Sequence, residues 1–245
     1  SLLNNKTIVV KNTYLQPKFD GLISNENFTF NGSSDYFEIP EQIVPQLAGL
    51  DFTIEFWAKI SPAYTTHVIL HQGVWDDGTG KMISIYYNNT TDKIHLDFYN
   101  RFISCDITSY YNVWTHYCFT FNSSVSNANY TEAGKIFING VSQNLTYYYD
   151  INTIETTKLT NGTTALGPIY IGVRNNIDMN FAGELKLLRV WNDVRTESEI
   201  QNNILITKLT TLITINGIAE PDFNGTLSTT DFDFNGTDDY FEIPT

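Results

Sequence analysis

The stretch DFTIEFWAKIS, Asp51 to Ser61, decides the fold class. Phe52, Ile54, Phe56, Ala58 and Ile60 alternate with Thr53, Glu55, Trp57 and Lys59. Successive side chains of a strand point to opposite faces, so this period of two marks a β-strand with one strongly apolar face. The runs HVILHQG, KMISIYYN, DKIHLDFYN, VWTHYCFTFN, GKIFING, GPIYIGV and GELKLLRVWN carry the same signal, punctuated by DDGTG, NNTTD and NG turns. Many short strands joined by turns build an antiparallel sandwich or barrel. The one helical signal is TESEIQNNI, where Thr196 and Glu199 have capping-box spacing. The long segment from Val141 to Gly167 is polar and Tyr-rich, and reads as a surface loop with irregular strand pieces.

Outward from that strand the chain repeats itself. FNGSSDYFEIP, Phe30 to Pro40, returns as FNGTDDYFEIP, Phe234 to Pro244, and the same offset aligns Thr7 with Thr211, Phe19 with Phe223 and Gly21 with Gly225. An internal period of this length defines domain organisation before any other reading. Residues 1–204 are expected to form one repeat unit, and 205–245 the start of a second. Two strands are expected in that tail, TTLITING and TDFDFNGTDDYFEIP, without a core of their own. Exposed strand edges invite pairing, so the tail is expected to dock on the next unit or on a neighbouring subunit. The residues expected to carry assembly are Thr211, Leu212, Ile213, Phe232, Phe234, Tyr240, Phe241 and Ile243.

At 245 residues a single all-β core suffices. The formal net charge of -13 excludes nucleic acid as a partner, because counterion displacement needs clustered Lys and Arg. It also opposes anionic membranes, and no transmembrane run or signal peptide is present, so the chain reads as mature or excised material without membrane insertion. N-glycan acceptor sites occur at Asn5, Asn27, Asn31, Asn88, Asn89, Asn122, Asn129, Asn144, Asn161, Asn224 and Asn235. Together they point to a secreted or cell-surface chain bearing covalent N-glycans. Cys105 and Cys118 flank TSYYNV, and a hairpin centred near Tyr111 and Asn112 would set them opposite each other. A disulfide is expected there, the alternative being two small buried thiols.

In order, FNGSSDYFEIP, FTIEFWAKI, WTHYCFTF, GKIFINGV, IYIGVRNN and FAGELKLLRVWNDVRTESEI resemble the laminin-G-like, concanavalin A-like jelly-roll domains over about Phe28 to Asn203. The resemblance implies an all-β, antiparallel two-sheet jelly-roll sandwich with one short C-terminal helix. It also implies a structural Ca²⁺ near Asp35, with Asp76 and Asp77 as a second candidate and Glu184 as a partner. Calcium takes six or more oxygen ligands.

Function must come from sites, since one fold hosts many. Glycosidases of this fold carry an E-x-D-x-x-E cluster, and none exists here. Glu38, Glu55 and Glu184 stand on separate strands, so no enzyme is expected and no catalytic residue is assigned. His67 and His71 are expected on one strand face but about 13 Å apart, too far to share a metal. Trp75, Tyr64, Tyr99, Arg101 and Tyr147 to Tyr149 are the aromatic and polar candidates for a sugar-binding face. The leading expectation is a non-enzymatic extracellular glycoprotein, a repeat unit of a linear filament or adhesive stalk in which copies join head to tail. The alternative is a secreted calcium-dependent carbohydrate-binding module with external glycans as partners.

Overall fold

The computed structural model describes residues 27–39, 51–62, 66–73, 82–98, 102–125, 133–148, 167–174, 178–191 and 193–204, with the backbone of short strands at either end. Two sheets pack face to face. Strands are numbered along the chain. The nine-stranded sheet runs β1 (Thr7–Val9), β17 (Thr211–Ile215), β16 (Ala182–Trp191), β6 (Phe52–Ile60), β11 (Thr115–Phe121), β12 (Gly134–Ile138) and β13 (Val141–Ser142). In it β4 (Phe28–Asn31), itself paired with β3 (Leu22–Ile23), lies along the first part of β16. The eight-stranded sheet runs β14 (Thr146–Tyr148), β10 (Phe102–Asp106), β9 (Lys93–Asp97), β8 (Met82–Asn88), β7 (Thr66–Gly73), β15 (Ile169–Ile171), β5 (Phe37–Ile39) and β2 (Lys18–Phe19). This is the expected two-sheet jelly roll, with a parallel departure at one edge: β17 runs parallel to both β16 and β1.

The alternation in β6 builds the core. Phe52, Ile54, Phe56, Ala58 and Ile60 are all buried there, and Phe52 and Phe56 stack on Phe121 and Phe119 of β11 at centroid distances of 5.6 and 5.9 Å. Phe98, at the end of β9, reaches across to Phe121 at 4.9 Å and ties the sheets together. Burying each such side chain contributes roughly 1.5–3 kcal/mol.

The polar face of β6 is covered as well. Helix α1 (Glu197–Ile204) begins with the expected capping box: Thr196 N–H donates to Glu199 Oε2 at 2.8 Å, and Glu199 N–H donates to Thr196 Oγ1 at 3.3 Å. The chain before it is held by Thr53, whose hydroxyl donates to the Asp193 carbonyl at 2.8 Å and accepts from Arg195 N–H at 2.9 Å. Under the helix Glu55 is 0% exposed. Its Oε1 accepts from Arg189 at 3.1 Å, Asn203 at 3.0 Å and Trp191 at 3.3 Å, and His116 Nε2 lies 3.4 Å from Oε2. Burial pushes the Glu55 pKa up, but His116 and Arg189 outweigh it and hold the carboxyl below its ordinary value.

Two expectations are corrected. Cys105 and Cys118 are free thiols on β10 and β11, which belong to different sheets. Cys105 faces the core between the sheets, whereas Cys118 packs with Phe137 and Ile200 on the helix side. The TSYYNV segment is a crossing between sheets through a single 3-10 turn at Thr108–Tyr110, so no hairpin sets the sulfurs together. Burial pushes the Cys105 thiol up to about 12 and Cys118 well above its ordinary value. His67 and His71 do not share a face either. A bulge between Val68 and Leu70 shifts the register, so His67 pairs with core Tyr87, and His71 with Ser84 on the opposite side.

The short strands of the tail pair as the head does. Lys18↔Glu38 and Phe19↔Phe37, joining β2 to β5, recur as Asp222↔Glu242 and Phe223↔Phe241, joining β18 (Asp222–Phe223) to β21 (Phe241–Glu242). Leu22↔Thr29 and Ile23↔Phe28 recur as Thr226↔Asp233 and Leu227↔Phe232, joining β19 (Thr226–Leu227) to β20 (Phe232–Asp233).

Arg189→Met strands the buried Glu55 carboxylate and is expected to lower the free energy of unfolding by about 3–5 kcal/mol, while Glu55→Leu with Arg189→Met recovers most of that loss. Chemical denaturation of the three chains measures it; equal losses in the single and double variants would refute the coupling.

Candidate functional site

The face of the eight-stranded sheet turned away from the core carries the densest polar chemistry. On β8, Ile83, Ile85 and Tyr87 belong to the core, which leaves Met82, Ser84 and Tyr86 on the far face. On β9, Ile94 and Leu96 are core, so His95 and Asp97 face outward. On β10 the same rule puts Phe102 and Ser104 outward, because Ile103 and Cys105 are core.

Strand register then lines these residues up. Phe102 is opposite Asp97, Asp97 opposite Ser84, Ser84 opposite His71, His71 opposite Tyr170, and Tyr170 opposite Glu38. Directly opposed side chains have Cβ atoms about 5 Å apart, so one polar row crosses six strands, roughly 24 Å. A parallel row sets Thr146 opposite Ser104, Ser104 opposite His95, and His95 opposite Tyr86. The His95 ring stacks on Tyr86 at 4.5 Å with planes 3° apart, and meets the Phe102 ring edge-on at 4.6 Å.

His95 is the unusual member. It is 3% exposed, and neither ring nitrogen has a hydrogen-bond partner among the described residues. Burial, with the nearby Lys93 charge, lowers its pKa to about 4, so the imidazole is neutral at physiological pH and offers one donor and one acceptor. Burial and the Asp97 charge push the Tyr86 hydroxyl pKa up, which keeps it a neutral hydroxyl. Ser84, Asp97 and Ser104 are buried beside this stack, while Tyr170, Glu38 and Phe102 are half-buried. The combination of aromatic faces with hydroxyl, carboxylate and imidazole groups can hold a polyhydroxylated ligand.

The residues singled out from sequence lie elsewhere. Asp35 follows β4, where it staples its own loop: Asn31 N–H donates to Oδ2 at 2.9 Å and Asn31 Nδ2 to Oδ1 at 3.0 Å. Glu184 on β16 pairs with Lys59 at 3.2 Å and accepts from Asn27. Asp35 and Glu184 are thus each hydrogen-bonded to protein donors. Among the described residues no group of three His, Cys, Asp or Glu side chains comes together for a metal. Asp76, Asp77, Trp75, Tyr64, Tyr99, Arg101 and Tyr149 lie outside the described residues, as do Phe234, Tyr240 and Ile243. Tyr147 is exposed on β14, opposite Ile103. Thr211, Leu212 and Ile213 form part of β17, and Phe232 and Phe241 begin β20 and β21. Asn144 and Asn31 are exposed, Asn88, Asn89 and Asn122 half-buried, and Asn5, Asn129, Asn161, Asn224 and Asn235 outside the described residues. Among the described residues no helix is long and apolar enough to cross a membrane.

Because the folded pKa of His95 is depressed, the unfolded chain takes up its proton first as pH falls from about 6.5 towards 4. Stability is expected to fall across that window by about 3 kcal/mol, and His95→Phe should flatten this part of the profile. The depressed carboxyl of Glu55 loses its contribution only at lower pH, below about 4.5, so melting temperatures at pH 7, 6 and 5 separate the two groups. An unchanged slope in the variant would remove His95 as the cause.

The fold has wide company among solved structures. The receptor-binding domain of a botulinum neurotoxin C/D mosaic serotype is similar at a TM-score of 0.55 and 16% identity, covering 82% of this chain and 49% of that one. A heptameric SAP-like pentraxin from Limulus polyphemus matches at 0.50 and 15% identity, over 80% of this chain and 89% of that one. The CBM40 domain of a Ruminococcus gnavus IT-sialidase matches at 0.50 and 14% identity, over 73% and 96%. At these identities the likeness is one of fold alone, and the chain spans about half the length of the toxin domain. No curated protein sequence matches the chain significantly. Residues 31–201 carry the sequence pattern of one family, and on that match the chain belongs to the concanavalin A-like lectin/glucanases superfamily.

Proposed function

We propose that this chain is a non-catalytic, secreted glycan-binding domain whose ligand meets the outer face of the eight-stranded sheet at its half-buried members, Glu38, Tyr170 and Phe102, which flank the buried Ser84, His95, Asp97 and Ser104. One observation carries the reading: a buried, neutral imidazole whose two nitrogens have no hydrogen-bond partner among the described residues, held between two aromatic rings beside a row of hydroxyl and carboxylate groups. Unmet hydrogen-bonding groups inside a folded protein call for an explanation, and a sugar hydroxyl both donates and accepts. Membership of a lectin-containing superfamily and the fold shared with a carbohydrate-binding module support the same reading. Secretion is supported by the acceptor sites, of which Asn144 is an exposed position for a covalent glycan.

Hydrolysis has no comparable support. Glu38 and Asp97, the carboxylates of the row, sit four strands apart, roughly 19 Å. Acid and nucleophile or base need about 5–9.5 Å to act on one glycosidic bond. The carboxylates open to calcium are Asp35, with Glu184, and the pair Asp76 and Asp77.

A second reading, a unit of an extracellular filament or stalk joined head to tail, is favoured by a separate observation. The tail repeats the head's pairings, Lys18↔Glu38 recurring as Asp222↔Glu242, whereas β17 is paired within its own chain to β16 and β1, so Thr211, Leu212 and Ile213 are not free to carry the contact.

A glycan array probed with the full chain is expected to show selective binding. Asp97→Asn and Tyr86→Ala should weaken the best ligand ten- to hundredfold, as loss of one strong hydrogen bond implies, with far-UV circular dichroism unchanged. Undiminished affinity in both variants would exclude this face, and silence across the array would exclude the function. Loss of binding in chelator, restored by calcium and abolished in Asp76→Asn with Asp77→Asn but not in Asp35→Asn, would assign the ion to Asp76 and Asp77.

A further inference from the structure

The body of the fold has one slot for a segment of which the chain carries two versions. In the structure the slot is filled by the head. Its β4 pairs with β16 through Asn31↔Ala182 and Phe28↔Leu185, and its β5 pairs with β15 through Phe37↔Ile171 and Glu38↔Tyr170. The head seals the core there with Phe28, Phe30 and Phe37, whose rings meet at 4.8 and 6.1 Å, and Phe30 reaches Phe181 at 5.4 Å. The slot is shaped for that ring. Gly172 has φ +88°, and a Cβ on it would lie 2.5 Å from the Phe30 ring, so both its backbone and its missing side chain suit a Phe at this position.

The tail repeats the head's sequence and its internal strand pairings. Phe232, Phe234 and Phe241 stand where the offset places Phe28, Phe30 and Phe37, and β18–β21 and β19–β20 reproduce the head's pairings residue for residue. What differs is the second edge. Among the described residues β20 pairs only with β19 and β21 only with β18, whereas β4 and β5 each have a body strand on the other side. The tail is therefore half of an interface whose other half is the pair of edges offered by β16 in one sheet and β15 in the other.

We infer that the tail of one copy takes the place of the head in a second copy. Within its own copy these edges are filled by the head, and β17 is committed to the Leu188–Val190 part of β16. A second copy supplies edges of the right register. The head it releases becomes the surplus segment, so the number of strand pairings is kept at every link and the equilibrium is governed by concentration against the tethered head. Each contact joins a tail to a body, which is heterologous, so links pass from copy to copy and build an open chain wherever the rotation does not close a ring. This inference rests on the repeat and the strand register, independently of glycan binding.

The test uses the full chain with Tyr170→Cys and Glu242→Cys, the tail's counterpart of the opposed pair Tyr170 and Glu38. With oxidised glutathione as the electron acceptor, a ladder of disulfide-linked dimers and larger species is expected on a non-reducing gel, rising with protein concentration. Tyr170→Cys with Glu38→Cys should give an intrachain link and no ladder; the native thiols are buried. A chain carrying Tyr170→Cys and Glu242→Cys that stays monomeric at every concentration overturns the inference. As a second measurement, Phe28→Ala with Phe37→Ala weakens the head and should move the chain from monomer to oligomer in sedimentation, and adding Phe232→Ala with Phe241→Ala should abolish the oligomer. A head variant that is unfolded, or folded and monomeric, counts against the exchange. Glycan-array results bear on neither measurement, so failure here leaves the glycan reading standing.

Discussion

A carboxylate with no access to water must find its donors in the protein, and Glu55 finds them on three other elements. Arg189 and Trp191 come from β16, Asn203 from the helix, and His116 from β11. Only one packing of the helix against the sheet satisfies them together. Arg189 is itself 4% exposed, so both charges of the pair depend on the closure of the helix. Such a pair adds less net stability than its Coulomb attraction suggests, because both ions had to be desolvated. Its effect is on specificity: a helix docked one turn away, or a β16 slipped by one residue, leaves a buried charge unpaired.

Polar groups are buried on both outer faces. On the nine-stranded sheet Arg189, Trp191 and, from the helix, Asn203 donate to Glu55 Oε1, while His116 meets Oε2 only as an ion pair at 3.4 Å. On the eight-stranded sheet Ser84, His95, Asp97 and Ser104 are just as buried, and the His95 nitrogens have neither a hydrogen bond nor an ion pair among the described residues. Stacking on Tyr86 and the edge of Phe102 fixes the plane of the imidazole, so its polar atoms are oriented without being satisfied. A structural role would be met equally by an apolar ring. An oriented, neutral donor and acceptor beside hydroxyls suits a ligand rich in hydroxyl groups.

Much of the fold is legible in the alternation of single strands. The β6 pattern, the capping box of Thr196 and Glu199, and the strand runs from Phe52 to Trp191 depend on residues close in sequence, which is what periodicity reads. The failures all concern register or long-range pairing. TSYYNV has hairpin chemistry, but the chain uses it to change sheets, which separates Cys105 from Cys118. HVILH alternates correctly until a bulge after Val68 inserts one residue and turns His71 to the other face. The site was missed for the same reason. Alternation shows that Ser84, Tyr86, His95, Asp97 and Ser104 share the non-core side of their own strands, but only register makes them a row, and no local feature of KMISIYYN or DKIHLDFYN encodes it.

The repeat is the exception, because there the sequence carries long-range information. Two segments of matching sequence have matching partners available, so a pairing found for one is a candidate pairing for the other. The match holds backbone pair by backbone pair, from Lys18↔Glu38 to Asp222↔Glu242. What sequence cannot convey is occupancy, since one pair of β15 and β16 edges admits one segment at a time. Head and tail are therefore competitors within a copy and complements between copies. The same Phe and Gly positions that make the closed unit stable make it able to accept another copy's tail, and a substitution that favours one segment must disfavour the other at those edges. The proposed glycan face includes β5 and β15, the strands that the exchange would remake, so Glu38 and Tyr170 link the two proposals: an incoming tail brings Glu242 to the end of the polar row where the head had Glu38. A linear assembly built in this way keeps a carboxylate at that end of every copy's row.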